Sequence, residues 1–301
     1  GRVYWKKVYE VPEGGRVTRG KAMVNLLDVS AEEKIAAMIR VREFSENEHL
    51  VMATENGIIK KTNLSEFGNP RAGGIIAIQV EEGDKLMGVK LTTGPNDVML
   101  ITRQGMSIRF NEGQLRDQGR STVGVWGIDL TKDDRVESLE VVEANATLLV
   151  ITENGYGKRT DFEEYRAQTR GGKGVITIKT TERNGEVVGA HTVHDNDAVM
   201  LITSQGQMIR MPVSDIRTIG RNTQGVRLIN LDEGDKLVSA TTGEPAFGAI
   251  VAASPLLRED RVDFNWADTA LPGLMTLATH PAALPPEVAA AIRATIVARA
   301  D

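Results

Sequence analysis

The sequence contains no cysteine, and aromatic residues make up only 4% of its 301 positions. The missing thiols exclude disulfides, thiolate metal sites and a cysteine nucleophile, and fit a reducing compartment. With few aromatics, a core has to be built from valine, isoleucine, leucine and methionine. No apolar run reaches membrane-spanning length, and no segment reads as a signal peptide. Positive charge is also short: 36 Lys and Arg stand against 41 Asp and Glu, for a net charge of −5. As an average, that argues against a nucleic-acid partner. The 41% hydrophobic content supports a packed core and argues against global disorder.

Repetition is the main positive signal. VMATENGIIKKT (Val51–Thr62) and LVITENGYGKRT (Leu149–Thr160) share a short apolar run, a polar turn ending in glycine and a basic pair. LITRQGMSIR (Leu100–Arg109) and LITSQGQMIR (Leu201–Arg210) repeat the theme. The turn glycines Gly57, Gly105, Gly155 and Gly206 are 48, 50 and 51 residues apart, and Gly1 fits as an earlier member. A second glycine follows each: Gly20, Gly74, Gly124, Gly174 and Gly225. An acidic turn and another apolar run come next. Short Val- and Ile-rich runs bounded by Gly, Asn and Asp read as strands, about four per repeat. The expectation is an all-β fold of five to six four-stranded antiparallel blades over residues 1–242, the first truncated. Six of the ten prolines lie beyond Gly243. Residues 243–301 therefore read as a short Pro/Ala-rich tail, partly helical or disordered, with a helix expected over Pro286–Ala300.

Cations recur at matching places. Four residues after each turn glycine stands Lys61, Arg109, Arg159 or Arg210. Four before the second glycine stands Arg16, Arg120, Arg170 or Arg221, and Arg71 precedes Gly74 by three. Arg19, Lys60, Lys158 and Lys173 adjoin these positions. If blades are related by rotation, equivalent cations trace an arc, which suits a bent polyanion such as duplex DNA. About ten phosphate contacts would give a log–log salt slope of about −9 and could offset a bending cost of about 1–6 kcal/mol. The alternative is a set of solvated surface charges that merely keep a protein-interaction propeller soluble.

The strongest single motif is Gln168–Thr169–Arg170–Gly171–Gly172–Lys173–Gly174, QTRGGKG. Its glycines would let the backbone approach a ligand and present N–H groups, with Arg170 and Lys173 supplying charge. A tight inter-strand turn is the alternative. The motif resembles the Q-[RK]-R-G-G-[RK]-G box of the DNA gyrase A C-terminal domain family, with Thr169 in place of a basic residue. GRVYWKKVYEVP, MATENGIIKKT, ENGYGKRT, TERNGEVVGA and IGRNTQGVRLINLDEGDK are similar to blades of that family, so the resemblance covers residues 1–242. It implies a six-bladed β-pinwheel with strands exchanged between blades, which wraps duplex DNA without reading its sequence. The family's box lies in its first blade, upstream of Gly1, so QTRGGKG is a later copy.

The resemblance also implies a non-catalytic part of a longer protein, itself a type II DNA topoisomerase. The parent would belong to an A2B2 assembly of two gyrase A and two gyrase B subunits, using ATP and Mg²⁺ elsewhere to introduce negative supercoils. Its place would be the bacterial cytoplasm, at the nucleoid, with no membrane partner. The corresponding domain of topoisomerase IV is the rival within the class. No cofactor is expected in this chain. His191, His194 and Asp195 lack further ligands for a metal, no catalytic triad is recognisable, and the four tyrosines read as structural or surface residues. Trp5 and Trp126 read as core.

Overall fold

A computed structural model describes residues 1–11, 25–27, 29, 33–242 and 293–299. The described residues form five antiparallel sheets. Blade 1 has the order β2 (Lys34–Val41), β19 (Arg293–Arg299), β1 (Arg2–Lys7), β5 (Ile75–Ile76). Blade 2 runs β6 (Leu86–Thr92), β3 (His49–Thr54), β4 (Ile58–Asn63), β9 (Val125–Trp126). Blade 3 runs β10 (Val136–Val141), β7 (Asp97–Thr102), β8 (Met106–Asn111), β13 (Val175–Ile176). Blade 4 runs β14 (Val187–Val193), β11 (Thr147–Thr152), β12 (Tyr156–Asp161), β17 (Val226–Arg227). Blade 5 has three described strands, β18 (Leu237–Thr242), β15 (Ala198–Thr203) and β16 (Met208–Pro212).

Repeat and blade are offset. Each of the second to fifth repeats supplies three strands to its own sheet and one two-residue strand to the sheet before it: β5 pairs with β1, β9 with β4, β13 with β8 and β17 with β12. Strands β2, β6, β10, β14 and β18 pack on one another in succession, so they form the inner side of the fold. The exchanged strands form the outer rim.

The central strands explain why the apolar runs do not alternate with polar residues. A sheet covered on both faces buries every position. On β7, Val98 and Leu100 pack with Val51, Ala53 and Ile59 of blade 2. The intervening Met99 and Ile101 pack with Leu148 and Val150 of blade 4. Each such fully buried aliphatic side chain contributes about 1.5–3 kcal/mol, and the contribution exists only when a neighbouring blade is present.

The tail departs from expectation. Arg293–Arg299 is a strand, not the end of a helix, and it pairs antiparallel with both β1 and β2. Thr295, Ile296 and Val297 are β-branched, and open ladder edges on two strands override the local helix preference of flanking alanines. Residues 243–292 lie outside the described residues.

Candidate nucleic-acid interface

The outer rim is built by the segment that crosses from one repeat to the blade before it. After the second strand of its own sheet and a short 3-10 turn, the chain runs beside the preceding blade's equivalent strand. Parallel bridges join Lys61 to Asp117, Arg109 to Ala167 and Arg159 to Thr218. Backbone hydrogen bonds fix the approach: Gln118 N–H to the Lys61 carbonyl, Gln168 N–H to that of Arg109, and Ile219 N–H to that of Arg159. A loop follows, then the second glycine, then the exchanged strand. The glycine is obligatory. Gly174 has φ +76°, and a Cβ there would lie 2.2 Å from the Ser107 carbonyl oxygen of the preceding blade.

This crossing divides the expected DNA-binding cations into two groups. Lys60 and Lys158 are fully buried. The Lys60 ammonium donates to the carbonyls of Ala77 (2.7 Å), Arg120 (2.6 Å) and Thr122 (3.3 Å). Lys158 donates to those of Gly220 (2.6 Å) and Arg221. Burial pulls the Lys60 ammonium down to about 8, and the Arg120 charge adds to the effect. Burial also lowers Lys158 to about 8, with Glu164 opposing and Arg221 assisting. Neither ammonium is open to a phosphate.

Lys61, Arg109 and Arg159 are likewise committed within the protein. The Lys61 ammonium lies 3.4 Å from Asp117. Arg109 Nε pairs with Asp97 at 2.8 Å, and its Nη1 donates to the Phe162 carbonyl at 2.8 Å. Arg159 Nε donates to the Ile216 carbonyl at 2.8 Å, and its Nη1 pairs with Asp195. These five residues, expected on an exposed belt, instead clamp the arriving segment. The crossing covers polar strand residues and turns carbonyls inward, and each buried acceptor needs a donor. Arg210 holds the same place in blade 5 and is exposed. Arg16 and Arg19 lie outside the described residues.

The loop cations are different. Arg71 and Lys173 are exposed, and Arg120, Arg170 and Arg221 are half-buried. Arg170 Nη1 donates to the Trp126 carbonyl (3.1 Å), and Arg221 Nη1 to that of Ile176 (2.8 Å). Arg120 has only a long approach to Glu66, 3.9 Å. In QTRGGKG, the Gly171 N–H is taken by the Gly127 carbonyl at 2.7 Å and the Arg170 N–H by Gln114 Oε1 at 2.9 Å. Those two amides are therefore closed to a ligand, contrary to expectation. Gln168 accepts from Gln114 through its carbonyl, and Gly172 accepts from Asp129. The loop is thus an inter-blade crossing that carries charge outward on its side chains.

Three further cations escaped the reading of the sequence. Arg116, Arg166 and Arg217 are exposed and form no ion pair among the described residues. Each stands four residues before a loop arginine, at Arg120, Arg170 and Arg221. The recurring R-x-x-x-R spacing was the available signal. Trp126 was also misplaced. It is 62% exposed, because strand alternation turns its neighbour Val125 toward the blade 2–3 core. Trp5 packs partly buried against the first core cluster.

His191 and Asp195 have structural partners. His191 Nε2 lies 2.8 Å from the Ala240 carbonyl and Nδ1 3.7 Å from Glu140, while Asp195 serves Arg159. No group of three or more His, Asp or Glu among the described residues could hold a metal ion.

The family model for the DNA gyrase C-terminal domain, beta-propeller, matches residues 1–42, 48–93, 96–143, 146–194 and 197–242. The chain belongs to the DNA gyrase C-terminal domain family. The five matched segments of this gyrase domain are the five repeats, and the second to fifth each contribute a short strand to the blade before. The DNA gyrase A protein of Salmonella typhimurium is 49% identical over 238 residues, 79% of this chain and 27% of the relative. That of Escherichia coli K12 is 48% identical over 238 residues, again 79% and 27%. That of Mycolicibacterium smegmatis is 46% identical over 241 residues, 79% and 29%. The chain therefore spans little more than a quarter of the length of these relatives. Two solved structures share the fold. A DNA topoisomerase IV C-terminal domain has TM-score 0.72 and 24% identity, covering 80% of this chain and 78% of that one. A DNA gyrase A C-terminal domain has TM-score 0.69 and 23% identity, covering 80% and 82%. Among the described residues no helix is long and apolar enough to cross a membrane.

Proposed function

We propose that this chain binds duplex DNA without reading its sequence and bends it around the outer rim of the blades. It would act in the cytoplasm as the wrapping part of a gyrase A protein. The observation that carries this reading is the rim row: Arg71, Arg116, Arg120, Arg166, Arg170, Lys173, Arg217 and Arg221. These residues lie on successive crossing loops beside the outermost strands. The clamp cations, by contrast, are occupied by acids and carbonyls. The net charge of −5 is an average over the whole chain, whereas phosphate contacts are made by the local row of cations on the rim. Eight phosphate contacts give a log–log salt slope of about −7, shallower than the sequence count suggested.

In the complete protein this wrap would feed a DNA crossing to a strand-passage machine. That machine would comprise two gyrase A and two gyrase B subunits, with ATP and Mg²⁺ used outside this chain. The identity of 46–49% to gyrase A proteins favours gyrase over topoisomerase IV.

The test combines a gel shift of plain duplex across salt with plasmid linking number after type I relaxation in the presence of the chain. Salt-dependent binding and a shifted linking number are expected. Replacing Arg166 and Arg217 with Ala should lower the slope magnitude by about 2 and leave stability within about 0.5 kcal/mol. Absence of duplex binding at low salt would overturn the reading.

A further inference from the structure

Three of the large apolar residues that the fold leaves exposed occupy one register. Ile76 (48% exposed), Trp126 (62%) and Ile176 (40%) are the second residues of β5, β9 and β13. They belong to the outermost strands of three successive blades. Single exposed apolar residues need no explanation, but this set is placed among rim cations. The Trp126 carbonyl receives Arg170 Nη1, and the Ile176 carbonyl receives Arg221 Nη1. Gly171 lies beside Trp126 so closely that a Cβ on it would be 3.9 Å from the tryptophan Cβ. Trp126 therefore flanks QTRGGKG, whose Lys173 is exposed.

Blade 4 varies the theme. Its equivalent residue is Arg227, exposed on β17. Arg227 Nη2 donates to the Tyr156 hydroxyl at 2.8 Å, and Arg183 Nε reaches the same oxygen at 3.3 Å. Both guanidinium groups lie over the Tyr156 ring, at 5.4 and 5.0 Å. Neither has a carboxylate partner among the described residues. Two like charges gathered on one phenol favour an anion between them.

A ligand for this rim must alternate anionic groups with apolar surface. Duplex DNA does so: deoxyribose faces and base-step edges line the minor groove between the phosphates, and bent duplexes accept apolar side chains there. We propose that Ile76, Trp126 and Ile176 contact the minor groove of the duplex, one per blade, and that Arg227 with Arg183 replaces this contact on blade 4 by a phosphate clamp. The proposal rests on the DNA-binding reading above.

The experiment titrates the 301-residue chain with a duplex of about 30 base pairs and follows tryptophan emission. Trp126→Phe identifies the part of the signal that belongs to Trp126. The expected results are a Trp126 emission change on binding, its suppression by a minor-groove-binding polyamide, and about 5- to 10-fold weaker binding by Trp126→Ala with an unchanged salt slope. Ile176→Ser should act in the same sense, which guards against a folding artefact at Trp126. Arg227→Ala should instead reduce the slope magnitude by about 1.

Failure of the unaltered chain to bind duplex would sink the DNA reading itself. Normal binding with a silent Trp126 and undiminished affinity in both apolar variants would overturn only the groove contact. So would an emission change that persists with the polyamide, or one reproduced by polyglutamate. An unchanged slope in Arg227→Ala would overturn the clamp.

Discussion

Strands β12 and β16 occupy the same place in consecutive repeats, yet one is buried and the other is open. In β12 every residue from Tyr156 to Thr160 is buried, whereas no residue of β16 is. The difference is the two-residue strand β17, which pairs with β12. No described strand takes that place beside β16. Arg159 and Arg210 both stand four residues after a turn glycine, but Arg159 has a side-chain exposure of 9% and clamps Ile216 and Asp195, while Arg210 is exposed. A residue's role in this fold thus depends on whether the next repeat arrives over it.

The largest expected effect comes from blocking an arrival. Gly174→Ala puts a methyl group against the Ser107 carbonyl at a positive φ and should cost about 3–4 kcal/mol, read from the urea midpoint. Gly234→Ala has a similar φ, +80°, but meets nothing within 4 Å, so it should cost about 1 kcal/mol. Equal losses would show that backbone strain alone, not blade contact, sets the requirement.

Next in size is the pair of equivalent arginines. Arg159→Ala leaves the buried Ile216 carbonyl without its donor, while the exposed Asp195 returns to water, and should cost about 1–3 kcal/mol. Arg210→Ala should stay within about 0.5 kcal/mol. Similar values in chemical denaturation would break the comparison.

The smallest effect concerns the position just before, which is Lys158 on β12 and Ile209 on β16. Lys60 is its counterpart on β4. Both lysines fall to about 8 in the folded state, from 10.5. Between those values the unfolded chain binds more protons, so stability should rise with pH from about 8 to about 10.5. The gain is on the order of 1–2 kcal/mol per lysine, below the roughly 3 kcal/mol of the full shift because the carbonyls around each ammonium stabilise its charged form. Denaturation midpoints of the parent and of Lys60→Met and Lys158→Met across that range test it. A variant that keeps the full rise would dissociate the effect from these lysines.

Much of the fold was legible because its signals are local. The turn glycines, the second glycines and the apolar runs mark strand ends directly, and Gly124 and Gly174 have the positive φ that such positions require. The candidate site was only half legible. Lys61, Arg109 and Arg159 recur as regularly as Arg120 and Arg170, with Lys60 and Lys158 beside them in two repeats, and recurrence does not distinguish a cation that faces solvent from one that faces a carbonyl. Arg116, Arg166 and Arg217 carried a spacing signal that went unread. Trp126 was assigned to the core by residue type, although alternation from Val125 placed it outside.

Taken by itself, the chain's residue order determined the repeat length, the all-β character and the family, since each depends on patterns within about fifty residues. Tertiary structure alone decided which cations are clamps and which line the rim, and it drew Arg293–Arg299 into blade 1 as a strand. The reason is that burial here is supplied by a neighbouring repeat: a side chain's surroundings are set by a crossing loop some sixty residues away, as Lys60 and Arg120 show.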